Sequence, residues 1–275
     1  MRRHLQAAYA AVGPLAYRLR GRRPWSFGYT AYKQDRIAQI LREDTFDADR
    51  MPVGYGDRID ERIVEYPWFF SRLPADAGSL LDAGSVLNYE FLLAHPRLGS
   101  KRTFISTLAP EAQCHWRRGV SYVFEDLRQM CYRDGFFDWV VSLSTVEHIG
   151  MDNTMLYTAD ESKRESDRRA YLRAAAEFSR VLRPAGTLYL SVPFGTRKDH
   201  GWFQIFDAPM VDSLIEAFRP QSATETHFRY APGGWVASDR EQSRDATYFD
   251  IHKRHGYDPD FAAASRAVVC LELVK

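Results

Sequence analysis

From Gly78 to Lys275 short apolar runs alternate with stretches of helical spacing, and this alternation constrains the fold more than any other feature. GSLLDAG, RTFISTLAP, VSYVFED, FFDWVVSLST and TLYLSVPFG read as strands. VLNYEFLLAH, SDRRAYLRAAAEFSRVLRPAG and APMVDSLIEAF carry the three- and four-residue spacing of helices. The second helix stops at Pro-Ala-Gly, and the third starts at Asp207 as an N-cap. SATETHFRYA and SRAVVCLELVK read as two closing strands, with only a polar stretch between them. Strands that are apolar on both faces and alternate with helices imply a parallel sheet covered on both sides. The expected architecture is α/β: a Rossmann-like three-layer sandwich with a mostly parallel seven-stranded sheet and an antiparallel last strand.

Residues 1–74 read as an N-terminal helical and aromatic extension, and 75–275 as the α/β domain. In the extension Leu5, Tyr9, Val12, Ala16 and Leu19 share one helical face, with a kink expected at Gly13-Pro14. The first 24 residues hold six arginines and no carboxylate, while the remainder carries 31 basic against 36 acidic residues. Two readings follow: a helix that lies on an anionic membrane surface, or one that packs on the body or on a second subunit as a homodimer contact. The formal net charge of the whole is +1, which gives no reason to expect nucleic acid as a partner. Three scattered cysteines (Cys114, Cys131, Cys270) form no CxxC pair, and there is neither a long apolar span nor an apolar signal core. The expected location is cytoplasmic, with peripheral contact at the inner face of the membrane left open.

Ligands of an open parallel sheet bind beyond the carboxyl ends of its strands. Those ends are Asp82-Ala83-Gly84-Ser85, Glu125-Asp126-Leu127, Ser142 to His148, and Pro193-Phe194-Gly195. In the order LLDAG, FEDL, FDWVVSLSTVEHIG and RVLRPAGTLYLSVP the chain resembles the class I S-adenosylmethionine-dependent methyltransferase family, over about residues 78–195 by motif. The resemblance implies that Asp82 orients the amino-acid part of S-adenosylmethionine and that Gly84 and Ser85 let the backbone approach it. It further implies that Asp126 accepts from the adenine amine with Leu127 packed on the ring, and that Ser142 to Glu147 line the methionine side.

Two departures from the family pattern stand out. Ser85, Val86, Leu87 and Asn88 follow Gly84 where further glycines are usual, and bulkier side chains there narrow a cofactor channel. Thr107 stands near the end of the second strand, where an acid usually grips the ribose, and a hydroxyl gives one neutral hydrogen bond in place of a charge-assisted pair. For a hydroxyl acceptor the enzyme must remove a proton, and His148, after Glu147, is the first candidate base. Glu147-His148 as a local helix cap is the competing reading. His200 is a rival base in the loop Lys198–Trp202. Trp202 and Trp235 are candidates for stacking on the acceptor. His252 and His255 lack an accompanying acid or cysteine pair, and no metal site is expected.

The leading expectation is methyl transfer from S-adenosylmethionine to the oxygen of a small hydroxylated or glycan acceptor, such as a sugar in polysaccharide or glycosylated-metabolite biosynthesis. The alternatives are a methyltransferase-shaped scaffold that has lost the cofactor, or another reaction in the same crevice on a sugar-linked substrate. GxSxG, P-loop, HExxH and GxGxxG motifs are absent, which removes hydrolase, nucleotidase, zinc-protease and dinucleotide readings.

Overall fold

A computed structural model of the chain describes residues 12–44, 46–158, 160–253 and 256–275. Leu5, Tyr9 and His255 lie outside the described residues. Residues 12–19 are helical, followed by helices α1 (Tyr29–Glu43) and α2 (Arg62–Arg72). Strands β1 (Gly78–Ala83), β2 (Lys101–Thr107), β3 (Ser121–Phe124) and β4 (Phe137–Leu143) come next. Helix α3 (Tyr171–Val181) leads into β5 (Leu182–Pro193) and a short ribbon of β6 (Lys198–Asp199) and β7 (Gln204–Ile205). Helix α4 (Ala208–Phe218), β8 (Ser222–Ala231), β9 (Gly234–Ser238) and β10 (Ala267–Val274) complete the chain. Among the described residues no helix is long and apolar enough to cross a membrane.

The chain divides into two compact units: Met1–Arg72 with His227–Val268, and Leu73–Thr226 with Val269–Lys275. The division differs from a single break at residue 74, because residues 227–268 group with the N-terminal segment.

The second unit is a Rossmann-like α/β sheet. Its strands run in the order β3-β2-β1-β4-β5-β10-β8. The pairs β1–β2, β1–β4, β2–β3 and β4–β5 are parallel. The amide of Ala185 donates to the carbonyl of Lys275, and that of Lys275 to Gly186, so β10 runs antiparallel to β5. Strands β1 and β4 are buried along almost their whole length, as the continuous apolar runs require. Helices α3 and α4 turn Phe178, Leu214 and Phe218 into one core with Leu81, Val140, Leu188 and Leu271 from the strands. Asp207 caps α4 as expected, accepting from the Met210 amide at 3.0 Å.

Two expectations are corrected. The residues VLNYEFLLAH form only a four-residue helix, Glu90–Leu93, because residues 84–89 are taken up in a loop and Pro96 starts a separate turn. An eighth strand, β9, also exists. It pairs antiparallel with His227–Ala231 of β8 through the tight turn at Pro232-Gly233, within the stretch between the two expected closing strands.

The first unit is built on aromatic side chains. Helix α2 is almost wholly buried and contains Pro67, which leaves the carbonyl of Ile63 without its helical donor. The hydroxyl of Tyr55 donates to that carbonyl at 3.0 Å and so removes the cost.

Candidate functional site

The end of β1 is fixed by Asp82. Its carboxylate is fully buried, with Oδ1 accepting from the Val86 amide at 2.9 Å and Oδ2 from the Leu87 amide at 2.8 Å. Two backbone donors on one carboxylate pin the loop that turns away from the strand. Gly84 sits at φ +119°, and a Cβ there would overlap the side chain of Thr145. Both observations require glycine. Ser85 takes the left-handed region at φ +61°, and its hydroxyl is buried without a hydrogen-bond partner. Val86 and Leu87 are buried, and neither lines the cavity described next.

Beyond the strand ends lies a cavity of about 720 Å³, inside the range of ~300–1,000 Å³ usual for small-molecule sites. Gly84, Thr107, Asp126 and Leu127 line it together with Thr145 and His148. Asp126 is engaged by a neighbour. Arg128 Nε lies 2.9 Å from each carboxylate oxygen, and Arg128 Nη2 lies 2.6 Å from Oδ2. Burial raises the carboxyl's pKa, but the hydrogen bonds and charge of Arg128 outweigh it and hold Asp126 below its ordinary range. The same guanidinium forms a two-pronged pair with Glu165 at 2.7 and 2.8 Å. Glu165 ends a strap, residues 152–158 and 160–165, that supplies one wall through Thr154, Tyr157 and Arg164. Arg164 returns to Asp152 at 2.8 Å and closes the strap on itself.

The β4 exit carries the histidine. Ser142 is buried and donates to the carbonyl of Ala83 at 2.9 Å, a tie between β4 and β1. Ser144 follows at φ +38°, a sparsely populated conformation for a non-glycine residue. Val146–His148 then forms one turn of 3-10 helix. His148 Nδ1 lies 3.0 Å from the carbonyl of Trp202. A carbonyl only accepts, so Nδ1 carries the proton in the neutral ring and Nε2 keeps the lone pair. Glu147 is buried, with Oε1 3.9 Å from His148 Nε2. Asn153 Nδ2 donates to the carbonyls of His148 and Met151 at 2.6 and 3.0 Å, which fixes the orientation of the amide. Its Oδ1 is then left buried, without a donor, on a residue of the cavity wall.

The structure therefore brings Gly84, Thr107, Asp126, Leu127 and His148 to one cavity. Asp82 and Ser142 stand behind it as ties between backbone segments. Trp202 is half-buried, with its ring 5.0 Å from that of His148. His200 is buried and stacked on Phe203 at 4.4 Å, and it does not line the cavity. Trp235 lies in the first unit, buried, with its indole donating to the carbonyl of Ile59 at 2.9 Å. Thr145 falls within the expected stretch Ser142 to Glu147, whereas sequence reasoning missed Arg128, Asn153 and the strap. The only available signal was the apolar triplet Met155-Leu156-Tyr157 within a polar stretch. No cluster of three or more metal-ligating side chains exists among the described residues.

No family model matches the sequence, and no curated protein matches it. Solved structures resemble the chain at low identity. The 1,6-didemethyltoxoflavin-N1-methyltransferase of Burkholderia thailandensis is 14% identical, covers 99% of this chain and 90% of its own, and gives a TM-score of 0.45. A SAM-dependent methyltransferase of Thermotoga maritima, described as a possible histamine N-methyltransferase, is 13% identical over 89% of this chain and 95% of its own, with a TM-score of 0.46. The [4+2]-cyclase SpnF is 16% identical over 87% and 92%, also with a TM-score of 0.46.

Proposed function

We propose that the chain is an S-adenosylmethionine-dependent methyltransferase that transfers the methyl group to the oxygen of a small hydroxylated acceptor. One observation carries this reading: the glycine at the β1 exit and a histidine held through Nδ1 by the Trp202 carbonyl line the same cavity, beyond the ends of parallel strands. The orphaned hydroxyl of Ser85, next to Gly84 on the cavity wall, suits a polar group of a ligand at the β1 turn. Gly84, Thr107, Asp126 and Leu127 would hold S-adenosylmethionine, which supplies the methyl group from a cationic sulfonium.

The chain's own residues do the rest by alignment and proton handling. His148 Nε2 would take the acceptor's hydroxyl proton, leaving the oxygen to attack the methyl group that S-adenosylmethionine would supply. The Trp202 carbonyl keeps the ring in the tautomer that can accept this proton. Glu147 stabilises the imidazolium that results. Asn153 Oδ1, an acceptor without a donor, suits a hydroxyl of the acceptor molecule. Trp202, its ring 5.0 Å from that of His148, stands behind the histidine and outside the cavity lining, so a sugar of a glycosylated acceptor would reach it only by extending past His148.

Calorimetry with S-adenosylhomocysteine tests the reading directly. Saturable heat, with density over Gly84 after a soak, is the expected result. No heat at millimolar ligand overturns the enzymatic reading and leaves a scaffold of the same shape.

A further inference from the structure

The helix at residues 12–19 has two apolar sides with different fates. On one side Gly13 comes so close to the backbone of Gly28 that a Cβ on Gly28 would overlap the Gly13 carbonyl. Tyr17, one turn later, is completely buried. Its ring meets Tyr29 at 5.7 Å and Tyr32 at 4.9 Å, and its hydroxyl donates to the carbonyl of Arg22 at 2.9 Å. A backbone approach and a buried, hydrogen-bonded ring on the same face fix the rotation of the helix about its axis.

With roughly 100° per residue, this rotation turns Val12, Leu15 and Leu19 to the opposite side. They are 58%, 58% and 79% exposed. The helix therefore packs on its own unit and still presents an apolar stripe to solvent. Arg18 flanks the stripe on one edge, where it lies over the ring of Tyr32 at 5.3 Å. Arg20, on the other edge, lies over the exposed ring of Phe27 at 5.6 Å. Arg23 is exposed as well, and Trp25 is a further exposed aromatic.

We propose that this face docks on an anionic lipid surface. Exposed leucines bordered by arginine and aromatic rings, in a 24-residue stretch that contains no carboxylate, match the composition of interfacial helices. Charge selects this occupant over a second copy of the chain. Everything after that stretch is acidic in balance, 31 basic against 36 acidic residues, but two copies meeting through this face would bring arginine against arginine. The helix enters the interface without refolding, because Gly13 and Tyr17 already hold it in the docking orientation.

The test is co-sedimentation of the full chain with vesicles of phosphatidylcholine alone and of phosphatidylcholine mixed with phosphatidylglycerol. No cofactor is added, so the result is independent of the methyl-transfer reading. Binding is expected only to the anionic vesicles and is expected to weaken as salt rises. The double variant L15E/L19E is expected to lose at least about tenfold in vesicle affinity, and R18Q/R20Q/R23Q to lose the preference for anionic lipid. Tm should be unchanged, since these side chains are exposed. Absence of binding to either vesicle overturns the proposal, as does equal binding by L15E/L19E. A wild-type dimer that becomes monomeric in L15E/L19E would also overturn it, because the stripe would then be a self-association face.

Discussion

Arg128 and Asp126 form a closed fork: the guanidinium donates to both carboxylate oxygens, at distances of 2.6 to 2.9 Å, while its far side holds Glu165 of the strap. A ligand amine at this strand end competes with Arg128 for Asp126. Asp126→Ala is expected to raise the dissociation constant for S-adenosylhomocysteine by about ten- to a hundredfold, the worth of a hydrogen bond to a charged group. Stability should hardly change, because the pair is partly exposed. The Asp126 carboxyl is held below its ordinary range, so the small stability it contributes is present above the unfolded value and lost only as pH falls through the folded one. Calorimetry and a thermal melt on the same variant check both statements.

His148→Ala is expected to lower turnover by about two to four orders of magnitude with cofactor affinity unchanged. His148 lines the cavity with Nδ1 on the Trp202 carbonyl, so Nε2 is the nitrogen that would take the acceptor's proton. Methyl transfer in single-turnover experiments separates the two effects. If the variant keeps its turnover, no base is needed at this position.

Much of the sheet was legible because short apolar runs, buried on both faces and separated by helical spacing, leave few alternatives. The strand ends at Gly84, Asp126 and His148 followed from it. What a carboxylate at a strand end does was not legible. Asp82 spends both oxygens on the amides of Val86 and Leu87, and a sequence does not say which way a side chain turns. Trp235 shows the same limit: its hydrogen-bond partner, Ile59, is 176 residues away in the chain. The strap was overlooked because residues 152–165 have no regular period. They are held by ion pairs, such as Arg128 with Glu165, that long separations hide.

Gly84 and Thr145 are predicted to be coupled. Gly84→Ala places a methyl group against the Thr145 side chain in a backbone region that L residues rarely enter. The expected loss is about 2–4 kcal/mol, from strain and overpacking together. Thr145→Ala removes the two nearest atoms, so the double variant should recover the packing share and keep the backbone share. A double-mutant cycle by urea denaturation gives the coupling. Additive losses would show that the two residues do not meet.

Asp82→Asn tests the β1 turn. An amide keeps one acceptor and turns a donor towards the backbone N–H of Val86 or Leu87, which leaves a buried amide unpaired. A loss of about 2–4 kcal/mol is expected by chemical denaturation. A loss near zero would mean that the loop is held by other contacts.

The first unit carries a pH dependence of its own at Glu61. Burial, followed by the charges of Asp60 and Glu65, pushes this carboxyl up from an ordinary value of 4.5 to about 7, although Arg62 opposes the shift. Its Oε2 accepts from the Ser265 amide at 3.2 Å, a bond that either protonation state can make. A carboxyl with a raised folded-state pKa binds its proton more tightly when folded. Its favourable contribution is therefore complete below about 4.5 and is lost as pH rises to about 7, by up to about 3 kcal/mol. Glu61→Gln keeps the acceptor oxygen and cannot ionise. The difference in unfolding free energy between wild type and Glu61→Gln should grow in the variant's favour from pH 5 to pH 8, whereas parallel curves would place the Glu61 carboxyl at its ordinary value.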